Sequence, residues 1–216
     1  MLTKILRSLR HERLPYALWA LSRLVYEQVT GRLHARLLGW SGGFLGLGGR
    51  VIGSRHITVG PCAHINRHAW IEAVHSFRGQ SFQPIIRIGL GFSASDRLHI
   101  TCTHRIDIGD DCLFGSGVYV SDHNHGIYSG ADQSAPSEAP VDRALQSSGA
   151  VVIGSRVWIG DNVVIVGPLT IGDGAVIGAN SVVKHDVPGN AIAAGTPTRV
   201  FKRFNPLTGK WEKNEG

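Results

Sequence analysis

Residues 151–183 read VVIGSRVWIGDNVVIVGPLTIGDGAVIGANSVV, and an aliphatic residue returns there at every sixth position: Ile153, Ile159, Ile165, Ile171, Ile177 and Val183. Neither the 3.6-residue period of a helix nor the two-residue alternation of a simple strand produces a strict six. A short exact period of this kind is the mark of a β-helical solenoid, with the aliphatic side chains turned into its core. Four units begin Ile-Gly, at Gly154, Gly160, Gly172 and Gly178, and the expectation is that glycine allows unusual torsions where the chain turns a corner. Val157, Val163, Leu169, Ala175 and Ser181 recur at a second fixed offset, as fits crowded corners.

Working outward, the same rhythm runs more weakly from about Val51. Val59, Ile65 and Ile71 are six apart, as are Ile88, Ala94, Ile100 and Ile106, and then Ile108, Phe114 and Val120. The phase breaks after Ile71 and between Ile106 and Ile108, as insertions or bulges at a corner would leave it. Residues 74–84 form one candidate insertion. Residues 126–149, rich in Ser, Pro, Gly and Asp and without periodicity, form a second, longer loop. A loop of that length inside a compact domain usually carries function or is disordered.

The remaining composition limits the partners. The chain has 216 residues, enough for one domain with additions at its ends, and a net charge of +6 that favours anionic partners without naming one. Residues 1–40 hold seven basic residues against Glu12 and Glu27, so +5 of that charge lies at this end. Leu2, Ile5, Leu6 and Leu9 make an apolar stripe that Leu14, Leu18, Leu21 and Val25 continue after Pro15, which predicts two short basic amphipathic helices. They suit either an anionic membrane surface or a cap on the open end of the solenoid. The apolar run between Arg13 and Arg23 is too short to span a bilayer and is a poor export signal, so a cytoplasmic location is expected. Cys62, Cys102 and Cys112 show no CxxC spacing and read as small buried residues of a reduced protein.

The segment before the long loop is Ser121-Asp122-His123-Asn124-His125-Gly126. On an extended backbone His123 and His125 point to the same side. Three readings are open: a catalytic base with a neighbour, a pair of metal ligands, or two surface histidines. A metal site would need a third ligand, which His99 or His104 could supply.

Four segments carry a resemblance: SDHNHG at 121–126, VWIGDNVVI at 157–165, TIGDGAVIGANSVVKHDVP at 170–188 and AGTPTRVFKRF at 194–204. With them the chain resembles the left-handed β-helix acyltransferases of the hexapeptide-repeat superfamily. The likeness is closest to the maltose/galactoside and xenobiotic acetyltransferase branch, and within it to enzymes that O-acetylate bacterial surface polysaccharides. It implies an all-β, left-handed parallel β-helix with a short helical N-terminal region and a C-terminal helix and tail. It also implies acetyl-CoA as co-substrate, a saccharide acceptor, a homotrimer, no resident metal and no nucleic-acid partner. His123 stands where the family has its general base, a neutral imidazole that takes the proton of a sugar hydroxyl. Asp122 would orient an imidazole or cap the turn, and His125 would touch substrate or simply be exposed. Trp158, Gly160, Ala179, Lys184 and Arg199 match the positions that line the acetyl-CoA cleft, the two cations meeting phosphates. Asp161 departs from the pattern, because some relatives have a small hydroxyl residue there.

The expected organisation is thus a basic helical region over 1–50, the β-helix over 51–198 with its loop at 126–149, and a C-terminal helix and tail over 199–216. Three rivals share the fold: an antibiotic- or xenobiotic-modifying acetyltransferase, a γ-carbonic-anhydrase-like metal enzyme, and a non-catalytic scaffold.

Overall fold

The structure, a computed structural model, describes residues 13–214. The chain is the left-handed parallel β-helix expected, a triangular coil whose three faces are three parallel sheets. The first face stacks Phe44–Leu45, His64–Ile65, Ser93–Ala94, Leu113–Phe114, Trp158–Ile159, Val176–Ile177 and Ala191–Ala194. The second stacks Arg50–Ile52, Trp70–Ala73, His99–Cys102, Tyr119–Ser121, Val164–Val166 and Val182–Val183, and the third Ile57–Val59, Ile85–Ile88, Arg105–Ile108, Val151–Ile153 and Leu169–Ile171. In the regular part each coil returns after 18 residues, so Trp158 lies beside Val176 and Val164 beside Val182. The six-residue rhythm is one face per unit. Ile65, Ile71, Ile100, Ile159, Ile165 and Ile171 are among the fully buried residues it delivers to the core.

The glycines of the Ile-Gly units are required for a reason other than torsion. Gly154, Gly160, Gly172 and Gly178 do not have positive φ; the left-handed residues are Arg156, Asn162, Gly174 and Asn180, two positions later. What forbids a side chain at Gly160 is the next coil: a Cβ there would stand 2.6 Å from the Ala179 nitrogen. Stacking distance, not backbone freedom, selects glycine at these positions.

The phase breaks also have a physical account. Third-face strands turn two residues inward, in pairs such as Ile86 and Ile88, Ile106 and Ile108, and Val151 and Ile153. The step of two between Ile106 and Ile108 is therefore a property of that face. The preceding coil is two residues longer than the regular one, since Ile108 pairs with Ile88 at a spacing of 20. The same logic reveals an earlier start than residue 51. Leu45, Val51 and Ile57 are six apart, and Phe44–Leu45 already belongs to the first coil.

At the N-terminal end the described part is one helix, α1, Leu14–Leu37. Pro15 does not divide it, because a proline in the first turn gives up an N–H that has no intrahelical partner. The other half of the expected helix pair lies outside the described residues. The face of α1 that docks is not the apolar stripe either. Gly31 and Ala35 bring the helix onto the Phe44 ring, and Glu27 bridges Arg23 and Arg67. Leu14, Leu18, Val25, Val29 and Leu33 remain exposed.

The expected C-terminal helix is a β-hairpin instead. Arg199–Asn205 pairs antiparallel with Ala191–Ala194, and Lys210–Lys213 pairs back onto it. The last coil leaves an open sheet edge, and a strand satisfies those backbone groups where a helix would not. The turn is made by Asn205, whose Oδ1 accepts the Leu207 N–H, and by Gly209 at φ +65°. Cys62 departs as well. Cys102 and Cys112 are buried, but Cys62 is exposed at a corner with φ +60°, where side chains leave the core.

Candidate active site

Ser121 ends a second-face strand, and the chain then leaves the coil as an extended arm, His123–His125, paired antiparallel with Leu145–Ser147. The long loop is thus ordered at its return, not structureless. Arg143 holds its middle by donating to the Glu138 carbonyl and to the Tyr128 hydroxyl. Residues 74–84 form a small hairpin, Ser76–Phe77 against Gln80–Ser81. Its Gln80 side chain clamps the backbone of Leu145 from both sides, at 3.2 and 2.8 Å, and Arg78 meets Asp142 at 2.7 Å. Both interruptions of the repeat therefore converge on one place.

That place is a cavity of about 440 Å³, bordered by His123, Asn124, His125, Phe77 and Leu145 together with Trp70, Glu72, His99 and Tyr119 from the second face. His123 and His125 do share a side of the arm, as extended backbone requires. His125 is exposed and meets the Phe77 ring edge-on at 5.3 Å, whereas the His123 side chain is only 8 % exposed.

Asp122 explains the position of His123. Its carboxylate is fully buried, and Oδ1 lies 2.8 Å from His123 Nδ1. The same oxygen accepts the Thr103 N–H at 2.9 Å, and Oδ2 accepts the N–H groups of His104 and Arg105 at 2.8 Å each. These three donors occupy the corner lengthened by the two extra residues, so the slip in phase builds the nest for this carboxylate. Asp122 both caps a turn and holds an imidazole. Burial pushes its pKa up, but the hydrogen bonds from His123, Thr103 and His104 outweigh burial and hold it below the ordinary carboxylate value. A carboxylate at Nδ1 leaves Nε2 as the nitrogen with the free lone pair. Cys102 Sγ also points at Asp122, and burial followed by the negative charge of Asp122 raises that thiol far out of the range of reactive cysteines.

The residues matched to a cofactor cleft do not all meet in one place on the chain. Gly160 and Ala179 stack directly on one another at the corner between the first and second faces, with Trp158 exposed beside them and Arg199 paired with Ala194. Lys184 follows the last second-face strand, so it lies on the opposite edge, the one that also carries His123 two coils away. Asp161 ties two coils together, since its Oδ1 accepts the Ser116 N–H from the coil before. Asp110, with Leu90, and Asp173, with Ser155, do the same at other corners, a role the Ile-Gly-Asp spacing could have signalled. Among the described residues, no three His, Cys, Asp or Glu side chains gather as metal ligands would. His99, considered above as a third ligand, stacks on Trp70 instead.

Residues 150–185 match the family described as the bacterial transferase hexapeptide of six repeats, and residues 105–127 match the hexapeptide repeat of succinyl-transferase. Residues 150–185 thus carry the repeat that the chain shares with bacterial transferases of this type. The chain is 45 % identical over 120 residues to the Escherichia coli K12 protein described as a putative lipopolysaccharide biosynthesis O-acetyl transferase, WbbJ, covering 55 % of this chain and 61 % of the relative. It is 36 % identical over 148 residues to the galactoside O-acetyltransferase of the same organism, covering 66 % and 64 %. The chain thus spans somewhat under two thirds of the length of both relatives. The solved structure of AntD, an N-acyltransferase from Bacillus cereus in complex with dTDP and 3-hydroxybutyryl-CoA, shares the fold, with a TM-score of 0.57 at 17 % identity over 82 % of this chain and 90 % of that one.

Proposed function

We propose that this protein is an acetyl-CoA-dependent O-acetyltransferase that acetylates a sugar hydroxyl of a bacterial surface polysaccharide or of its lipid-linked precursor. The observation that carries the reading is the Asp122–His123 pair, a saturated buried carboxylate holding Nδ1 at 2.8 Å while His123 borders an open cavity. Such an imidazole accepts the proton of the acceptor hydroxyl at Nε2 as the oxygen attacks the thioester carbon. The tetrahedral intermediate collapses, the carbon–sulfur bond breaks, and the departing thiolate takes that proton back as free CoA. No acyl-enzyme is needed. The relatives named for O-acetyl transfer in lipopolysaccharide synthesis and to galactosides support this acceptor class.

Trp158, Gly160, Ala179 and Arg199 on one edge of the second face and His123 on the other fit a cleft shared by adjacent subunits, so the working form is a homotrimer. In it the edge of one copy faces the opposite edge of the next. Lys184, on the His123 edge, would meet CoA phosphates there. The test is acceptor-dependent release of free thiol from acetyl-CoA by the full chain over a panel of saccharides. Release above the acceptor-free rate is expected, and a chain that binds acetyl-CoA but releases no thiol with any acceptor counts against the reading.

The lipid-linked alternative gives α1 a use. Its outward face carries Leu18, Val25, Val29 and Leu33 with Arg32 and Arg36 alongside, a mixture that suits an anionic bilayer surface. Among the described residues no helix is long and apolar enough to cross a membrane. In co-sedimentation with vesicles containing phosphatidylglycerol, Val25→Ser/Val29→Ser/Leu33→Ser should reduce binding at least about tenfold, at roughly 0.8 kcal/mol per buried methylene lost. Equal binding by wild type and variant removes the membrane role.

A further inference from the structure

We propose that the cavity beside His123 is an acceptor subsite built for an uncharged pyranose ring, and that it turns away sugars bearing a carboxylate or a phosphate at the position it encloses. The inference rests on the transferase reading above and narrows its substrate.

Four outward-facing residues of the second face stand in register on successive coils: Arg50, Trp70, His99 and Tyr119. The Arg50 guanidinium lies 4.7 Å from the Trp70 ring, Trp70 and His99 stack at 4.6 Å and 7°, and Tyr119 meets His99 at 5.0 Å and 72°. Both faces of the indole are thus occupied by the column itself. With those faces taken, Trp70 and His99 border the cavity by their ring edges, and Tyr119, a hydroxyl-bearing ring, borders it beside them. Such a wall hydrogen-bonds a polyhydroxylated ring. One donor is conspicuously free. Trp70 Nε1 is buried and has no partner among the described residues, which is uncommon for a native polar atom.

The charge of the lining points to the kind of sugar. Among the described residues no Lys or Arg borders the cavity, although the chain as a whole carries +6, and its one carboxylate is Glu72, which makes no ion pair with them. His99 offers no cation, because burial pushes its pKa down, against the opposite pull of Glu72. Two cations stand next to lining rings and both are engaged: Arg50 lies on the indole face of Trp70, and Arg78, 6.0 Å from the Phe77 ring, pairs with Asp142 at 2.7 Å. A uronate or sugar phosphate would therefore sit beside the Glu72 carboxylate with no cation of the same chain to pair it, a juxtaposition that disfavours binding. Any phosphate of a lipid-linked precursor must lie outside this cavity.

The test measures thiol release from acetyl-CoA by the full chain with methyl galactopyranoside and methyl glucopyranoside, each against its uronate and its 6-phosphate. The neutral member should show a kcat/KM at least about tenfold above its charged counterparts. Glu72→Gln should narrow that gap several-fold. Trp70→Phe should raise the acceptor KM with little change in kcat or in the KM for acetyl-CoA. Charged sugars turned over as well as neutral ones, or a gap that Glu72→Gln leaves untouched, overturns the proposal. Thiol release with none of the six sugars while acetyl-CoA still binds overturns it too, whereas failure to bind acetyl-CoA brings down the transferase reading beneath it.

Discussion

His123→Ala is expected to lower acceptor-dependent CoA release by roughly 10²- to 10⁴-fold, the contribution typical of a positioned general base. The affinity for acetyl-CoA should change little, because the proposed cofactor contacts are Trp158, Gly160, Ala179, Lys184 and Arg199, while the His123 imidazole acts on the proton of the acceptor. The fold should also tolerate the change. His123 hangs on an arm that has left the solenoid, and its main-chain pairing with Ser147 does not involve the imidazole. Steady-state thiol release combined with calorimetric titration of acetyl-CoA separates the two effects. Turnover within a few-fold of wild type would place the base elsewhere.

Asp122→Ala is expected to damage both stability and activity. The carboxylate is the partner of the Thr103, His104 and Arg105 N–H groups and of His123 Nδ1. Removing it leaves several buried or half-buried donors without an acceptor, at roughly 1–3 kcal/mol each. In a chain of this size that lowers the melting temperature by about 10 °C. It also frees the imidazole to rotate and to carry its proton on either nitrogen, so residual activity should approach that of His123→Ala. The pH dependence follows from the same bonds. The folded-state pKa of Asp122 is lowered, so its contribution to stability is fully present above the unfolded value of about 3.9 and is lost as pH falls through the lower folded value. Thermal melts between pH 5 and pH 3 should show the wild type losing more stability than the alanine variant, and parallel melting curves would refute the assignment.

Much of the β-helix could be read from residues 151–183, because each core position there is filled by one aliphatic residue at a constant spacing. The C-terminal hairpin could not. Arg199, Lys202 and Arg203 suggest a solvated basic helix as readily as a strand, and the choice is made by the open edge of Ala191–Ala194, which local sequence does not reveal. The docking face of α1 was hidden for a similar reason. Its apolar stripe suggests the buried side, yet Gly31 and Ala35 pack because only small residues let a helix approach Phe44. The spacing of the Ile-Gly glycines is visible in the sequence but its cause is not, since the clash that requires them is with a coil 18 residues on.

The site divides in the same way. By itself the sequence determined the solenoid, the two interruptions of its repeat, and the histidine that stands at the mouth of the longer one, since these depend on spacing along the chain. Only the tertiary structure decided that Asp122 is both cap and imidazole holder, that the insertion at 74–84 and the loop at 126–149 are clamped together through Gln80 and Leu145, and that Trp70, His99 and Tyr119 form one wall. Those contacts join residues from different coils. In a β-helix a side chain's neighbours lie one full turn away, and whether that turn holds 18 residues, 20, or a whole loop more is settled only when the coils stack.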